Sequence, residues 1–121
     1  MIKLWGINQC QTVRNARAWL DNHDIEYQFC DFKKNLLSSE LLAAWLAQMG
    51  QEKLVNRRGT SWRLLDDIQR NQLNNNEKVI DLLLDKTSLI KRPVLTSHDD
   101  DKKILLVGFH AELYSHQFQI E

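Results

Sequence analysis

The sequence predicts an α/β domain, and three observations carry that expectation. Strand-like, helix-like and strand-like patterns follow one another up to about residue 32; the middle of the chain repeats apolar residues at helical spacing; two apolar, β-prone segments return near the end.

Met1 to Ile7 alternates, with Ile2 and Leu4 on one face and Lys3 and Trp5 on the other, before Gly6 and Asn8 signal a turn. From Gln11 to Asn22, Val13, Ala16 and Leu20 recur at helical spacing with Trp19 beside them, while Arg14, Arg17 and Asp21 occupy other faces. Ile25 to Phe32 reads as a second strand, with Ile25, Tyr27 and Phe29 on one face. Strand, helix and strand within about thirty residues make a βαβ unit, which implies parallel pairing and a right-handed crossover.

A stretch of helices follows. Leu41, Leu42, Trp45, Leu46 and Met49 stripe one helix that is expected to end at Gly50, and Leu64, Leu65 and Ile68 suggest a short second one capped by Ser61. Asn74 followed by Glu77 fits a capping box ahead of Val79, Leu82 and Leu83, predicting a third helix. Val94 to Thr96 and Ile104 to Phe109, joined by Ser97 to Lys103, predict a hairpin closing the same sheet, covered by a last helix from Ala111 to Gln117.

With 121 residues and 43% apolar content, residues 1–121 are expected to form one domain around a single core. Two cysteines are too few for a disulfide framework, and sixteen basic residues cancel sixteen acidic ones, so nothing announces a nucleic-acid or membrane partner. The opening MIKLWGINQ lacks a secretory pattern and no apolar run reaches spanning length, so the expected compartment is the cytoplasm. There a sparse cysteine is more plausibly a free thiol.

Cys10 is predicted at the carboxyl end of the first strand and the amino end of the first helix, where α/β sheets gather ligands. Free helix amides and the helix dipole favour thiolate over thiol there. Arg14 lies one turn along the same face, and Thr12 offers a hydroxyl to the same turn. From position alone, Cys10 is equally well a small buried apolar residue, with Arg14 a solvated charge. Separated segments add weight: Arg57, Arg58 and Gly59 follow the first of the inserted helices, and Arg92 directly precedes Pro93, the single proline, at the start of a strand. An Arg-Pro turn there would bring a cation and an exposed carbonyl beside the sulfur, so that Arg14, Arg58 and Arg92 converge on one anionic position.

Over nearly its whole length the chain resembles the arsenate reductase, Spx and YffB family of thioredoxin-fold proteins. WGINQCQTVRNARAWLDNHDIEYQFCDF carries the Cys-x-Thr-x-Arg signature in Cys10, Thr12 and Arg14; LVNRRGTSWRLL resembles the inserted helical region, and SLIKRPVL its Arg-Pro motif. The resemblance implies a thioredoxin-like fold, a mixed four-stranded sheet with a helical insertion at about 36–90. It also implies Cys10 as nucleophile, Thr12, Arg14, Arg58 and Arg92 at the anion, and a cis bond before Pro93. It implies no metal and no bound cofactor; glutathione serves as reducing co-substrate, with glutaredoxin a possible partner.

Two departures separate the branches. Glutaredoxin-coupled arsenate reductases resemble this chain but carry a histidine where it has Gly6, and a further arginine late in the chain where it reads ILLVGFH. Spx-type regulators typically carry a Cys-x-x-Cys switch, and here the second position is Val13. The chain is most similar to the YffB-like branch, which implies a glutathione-dependent thiol reductase attacking an oxyanion or a disulfide. The alternatives are a non-catalytic Spx-like regulator and a true arsenate reductase.

Other groups have plainer readings. Cys30 is expected to be buried rather than a resolving thiol. His98 with Asp99, Asp100 and Asp101 holds metal-ligand atoms without a metal-ligand spacing, and His110 and His116 read as surface residues. The four tryptophans read as packing residues, with Trp5 the one placed to wall the Cys10 site. Lys33, Lys34, Arg57, Arg58 and Arg63 form local positive clusters that would suit the carboxylates of glutathione.

Overall fold

Among the described residues of the computed structural model, 1–34 and 37–120, four strands form one mixed sheet: β1 (Ile2–Gly6), β2 (Tyr27–Asp31), β3 (Val94–Ser97) and β4 (Asp100–Val107), in the order β2-β1-β3-β4. The alternation in β1 sorts its residues between two faces, and the register extends that sorting across the sheet. Parallel pairing sets Leu4 beside Phe29 and Trp5 beside Cys30; antiparallel pairing sets Leu4 against Leu95 and Lys3 against Thr96.

The chain divides into two compact units, Met1–Asn35 with Arg92–Glu121, and Leu36–Lys91. The expected start of the helical insertion, about residue 36, lies outside the described residues.

In the first unit, helix α1 (Gln11–Asn22) buries Val13, Ala16 and Leu20, the stripe its spacing predicted. Leu4, Ala16, Leu20, Leu95 and Tyr114 form a cluster with no solvent exposure, joined at its edges by Trp19, Phe29, Phe109 and Phe118. Burying each leucine there contributes on the order of 1.5–3 kcal/mol. Tyr114 comes from the last helix, whose ring meets Trp19 and Phe109 edge-on at 5.5 and 4.8 Å between centroids. The opposite sheet face is more polar: Trp5 Nε1 donates to Thr96 Oγ1 at 3.0 Å, and Lys3 pairs with Asp101 at 2.9 Å.

The second unit holds α2 (Ser39–Leu54), α3 (Thr60–Arg63), α4 (Asp67–Asn71) and α5 (Asn76–Asp85); α6 (Ala111–Gln117) completes the first. Gly50 takes φ +73° and ψ 165°, an extended positive-φ conformation open to glycine rather than the left-handed helical cap expected of it, and helical hydrogen bonding resumes and carries α2 to Leu54 across a kink. Leu64, Leu65 and Ile68 do not share one helix as expected. Gly59, not Ser61, caps α3, and Asp66 opens α4 through a reciprocal capping box with Gln69, so Leu64 and Ile68 point to solvent and only Leu65 is buried. The cap of α5 is Asn75 rather than Asn74: its Oδ1 accepts from the N–H groups of Glu77 and Lys78.

The hairpin is tighter than expected. β4 begins at Asp100, so only His98 and Asp99 lie between the strands, and register shifts on both sides of Thr96 take up the mismatch. The second strand is shorter than the apolar run that predicted it, because Ile25 still belongs to the turn and Phe32 to the loop beyond.

Candidate functional site

β1 delivers the chain to the site and α1 begins it. Cys10 occupies the cap position of α1 in an extended conformation (φ −77°, ψ 125°). Its N–H donates to the Ile7 carbonyl at 3.1 Å and its carbonyl accepts from Arg14 N–H at 3.0 Å, which starts the helix. At a cap, the amides two and three residues on have no helical partner and face the cap side chain. Here those amides belong to Thr12 and Val13.

The thiol of Cys10 is half-buried, and burial pushes its pKa up; the Val13 amide, the Arg92 guanidinium and the Thr12 amide together pull it below the ordinary thiol value. The amides act on the sulfur electrostatically, short of a closed capping hydrogen bond. Arg92 acts both by hydrogen bonding and through its charge, and it is joined to Pro93 by a cis peptide bond. The Pro93 carbonyl accepts from Gly108 N–H at 2.8 Å, tying this segment to the end of β4.

The other expected anion-binding residues stand as follows. Thr12 contributes its backbone amide, and its side chain is exposed. Arg14 turns its guanidinium to the Gln9 carbonyl at 3.2 Å and is not among the groups acting on the sulfur. Arg58 lies in the second unit, where its backbone N–H donates to Asn56 Oδ1 at 3.1 Å. Its neighbour Arg57 stacks on the Trp62 ring at 5.4 Å, which Arg70 also approaches at 5.3 Å.

Trp5 does not wall the site. It is 5% exposed, on the sheet face opposite the Leu4 cluster, because alternation along β1 sends its ring away from the α1 face. Cys30 shares that face as its register partner; burial raises its pKa, the Lys3 charge lowers it and Asp101 raises it again, leaving it above the ordinary value. Ser97 donates to Asp99 Oδ1 at 2.7 Å, and Asp101 belongs to the Lys3 ion pair.

One contributor escaped the sequence reading. Val13 was legible only as a core residue, yet its amide leads that of Thr12 in favouring the thiolate; the cap position of Cys10 was the signal that implied it. Gly6 gains a meaning as well. A Cβ built on it would lie 2.7 Å from Val13 Cγ2, so no side chain fits there while the Val13 γ-methyls hold that space.

Residues 5–116 match the ArsC family. An uncharacterized protein of Haemophilus influenzae is 36% identical over 98% of this chain and 99% of its own length. The global transcriptional regulator Spx of Lactiplantibacillus plantarum is 30% identical over 93% of this chain and 82% of its own. Among solved structures, a YffB protein is similar with a TM-score of 0.85 at 38% identity, covering 97% of this chain and 98% of that one. An arsenate reductase (ArsC) related protein from Brucella melitensis follows with a TM-score of 0.75 at 35% identity, covering 98% and 95%. The mixed sheet with its helices is the thioredoxin-like arrangement of these neighbours.

Proposed function

This chain belongs to the ArsC family, and on that premise we propose that it is a glutathione-dependent thiol reductase with Cys10 as its nucleophile. One observation carries the reading: Cys10 caps α1 where two amides and the Arg92 guanidinium overcome the effect of burial and favour the thiolate. A thiolate at that position attacks one sulfur of a disulfide and expels the other as a thiolate, leaving a mixed disulfide on Cys10. One glutathione thiolate displaces the bound sulfur and a second completes the exchange. The balance is two glutathiones oxidised to one disulfide while the substrate disulfide becomes two thiols.

The same constellation suits an oxyanion substrate, whose negative charge the Arg92 guanidinium and the amides of Thr12 and Val13 would bind. Arg14 and Arg58 enter as anion-binding residues on their sequence motifs alone. The cytoplasm, where glutathione keeps thiols reduced, is the compartment this chemistry requires. No helix among the described residues is long and apolar enough to cross a membrane.

A second reading follows from the Spx relative: a protein-binding regulator whose surface, not its thiol, carries function. Against a local redox switch stands Val13, fully buried where a second cysteine would be needed. Against arsenate specificity stands Gly6, closed to the side chain that arsenate reductases place there.

The pH dependence of Cys10 alkylation separates these readings. An acidic midpoint together with a glutathione adduct on Cys10, absent in Cys10→Ala, supports the reductase. An ordinary thiol midpoint points to the regulator, and arsenate turnover dependent on glutathione and glutaredoxin to the arsenate reductase.

A further inference from the structure

We propose that Val13 is the positioning residue of the Cys10 thiol, acting through its packing on the backbone of Gly6. The proposal rests on the reading of Cys10 as a reactive thiol.

The geometry has two anchors. On one side, the Cys10 N–H is held by the Ile7 carbonyl and its carbonyl by Arg14 N–H, at 3.1 and 3.0 Å. Those bonds fix the backbone that carries the sulfur. On the other side, the amides that face the sulfur belong to the next turn, and that turn needs its own support.

Val13 supplies it. The side chain is fully buried, and its two γ-methyls would lie 2.7 and 3.3 Å from a Cβ on Gly6, so they rest directly on the last residue of β1. Main chain cannot swing aside as a flexible side chain can. A β-branched residue in a helix has one strongly preferred χ1, so this contact sets the position of the Val13 backbone over the strand. The same residue carries the leading stabilising amide, and Thr12 carries the adjacent one.

One consequence links two positions that look unrelated in the sequence. A side chain at position 6 and the two γ-methyls at position 13 claim the same volume, so glycine at one and valine at the other form a single steric solution. Of the charged groups nearby, Arg92 acts on the sulfur from the segment before β3, whereas the Arg14 guanidinium is turned to Gln9. Arg92 reaches the sulfur from outside the helix, so loss of the Val13 packing is expected to remove only part of the stabilisation.

The test compares peptide-resolved alkylation of Cys10 across pH in wild type, Val13→Ala, Val13→Thr and Gly6→Ala/Val13→Ala. Val13→Ala is expected to raise the midpoint by about half a unit or more, because the amides lose their fixed distance from the sulfur. Val13→Thr keeps both γ-branches and is expected to hold the wild-type midpoint. In the double variant the new Cβ at position 6 lies 3.6 Å from the remaining Cβ at position 13, an ordinary contact, and the midpoint is expected to move back towards wild type.

A folded Val13→Ala with an unmoved midpoint overturns the proposal, as does a double variant shifted as far as the single one. Should Val13→Ala fail to fold, a shifted midpoint in Val13→Thr overturns it instead. An ordinary midpoint in the wild type would remove the reading of Cys10 itself, whereas an acidic wild type beside an unmoved Val13→Ala would remove only the role of Val13.

Discussion

The Arg92 guanidinium donates to the sulfur of Cys10, joining the residue before Pro93 to the cap of the first helix. Neither residue belongs to an element that the other forms, and the sheet supplies the link: β1 leads to Cys10, and β3, paired with it, starts just after Arg92.

Removing that cation should make the thiol less acidic. Arg92→Met is expected to raise the alkylation midpoint of Cys10 by about one unit, which corresponds to roughly a tenfold lower thiolate fraction at a pH below both midpoints. Arg92→Lys, which keeps the charge but not the planar fork, should fall between. Alkylation rates measured across pH check both.

The two cysteines should react very differently. Cys30 is 2% exposed and its thiol pKa is raised, mainly by burial, so it should be modified only when the chain opens. Pulsed alkylation followed by peptide mass analysis should show Cys10 labelled in the native protein and Cys30 labelled only in denaturant. Equal labelling under native conditions would contradict the burial of β2 against its neighbours.

Tyr114 carries a buried hydroxyl with no hydrogen-bond partner among the described residues, and burial holds its pKa above the ordinary phenol value. Tyr114→Phe should therefore be neutral or stabilise the protein by up to about 1 kcal/mol, since no partner is stranded. The sign of the pH effect follows from the raised folded value: the contribution is fully present below the unfolded pKa near 10 and is lost as pH rises above it. Denaturant titrations should show wild type losing stability at alkaline pH more steeply than the phenylalanine variant.

Leu65 and its neighbours offer a contrast within one short segment. Leu64→Ser and Ile68→Ser should change stability by no more than about 0.5 kcal/mol, because both side chains are 77% exposed. Leu65→Ala should cost about 2–5 kcal/mol by leaving a cavity. Chemical denaturation of the three variants decides whether the capping box at Asp66 divides the segment as described.

Much of this protein was legible because its pattern is local. The bounds of α1 follow from helical spacing, and the parallel pair β1 and β2 from a strand, helix and strand closely spaced in the chain. Capping was less legible. Asn74 and Asn75 are chemically identical candidates, and only the backbone conformation at Asn75 assigns the cap. The apolar stripe at Leu64, Leu65 and Ile68 suggested one buried helix, but Asp66 competes locally for the Gln69 amide and breaks it.

By itself the sequence determined where a thiol meets the start of a helix and that Cys-x-Thr-x-Arg and Arg-Pro motifs accompany it, because both are features of neighbouring residues. Tertiary structure alone decided that Arg92 rather than Arg14 addresses the sulfur, that Trp5 turns away from the site, and that Val13 rests on Gly6. The reason is physical: a guanidinium on a long side chain chooses among acceptors brought together by strand pairing, and the volume free at a glycine depends on what another element places over it.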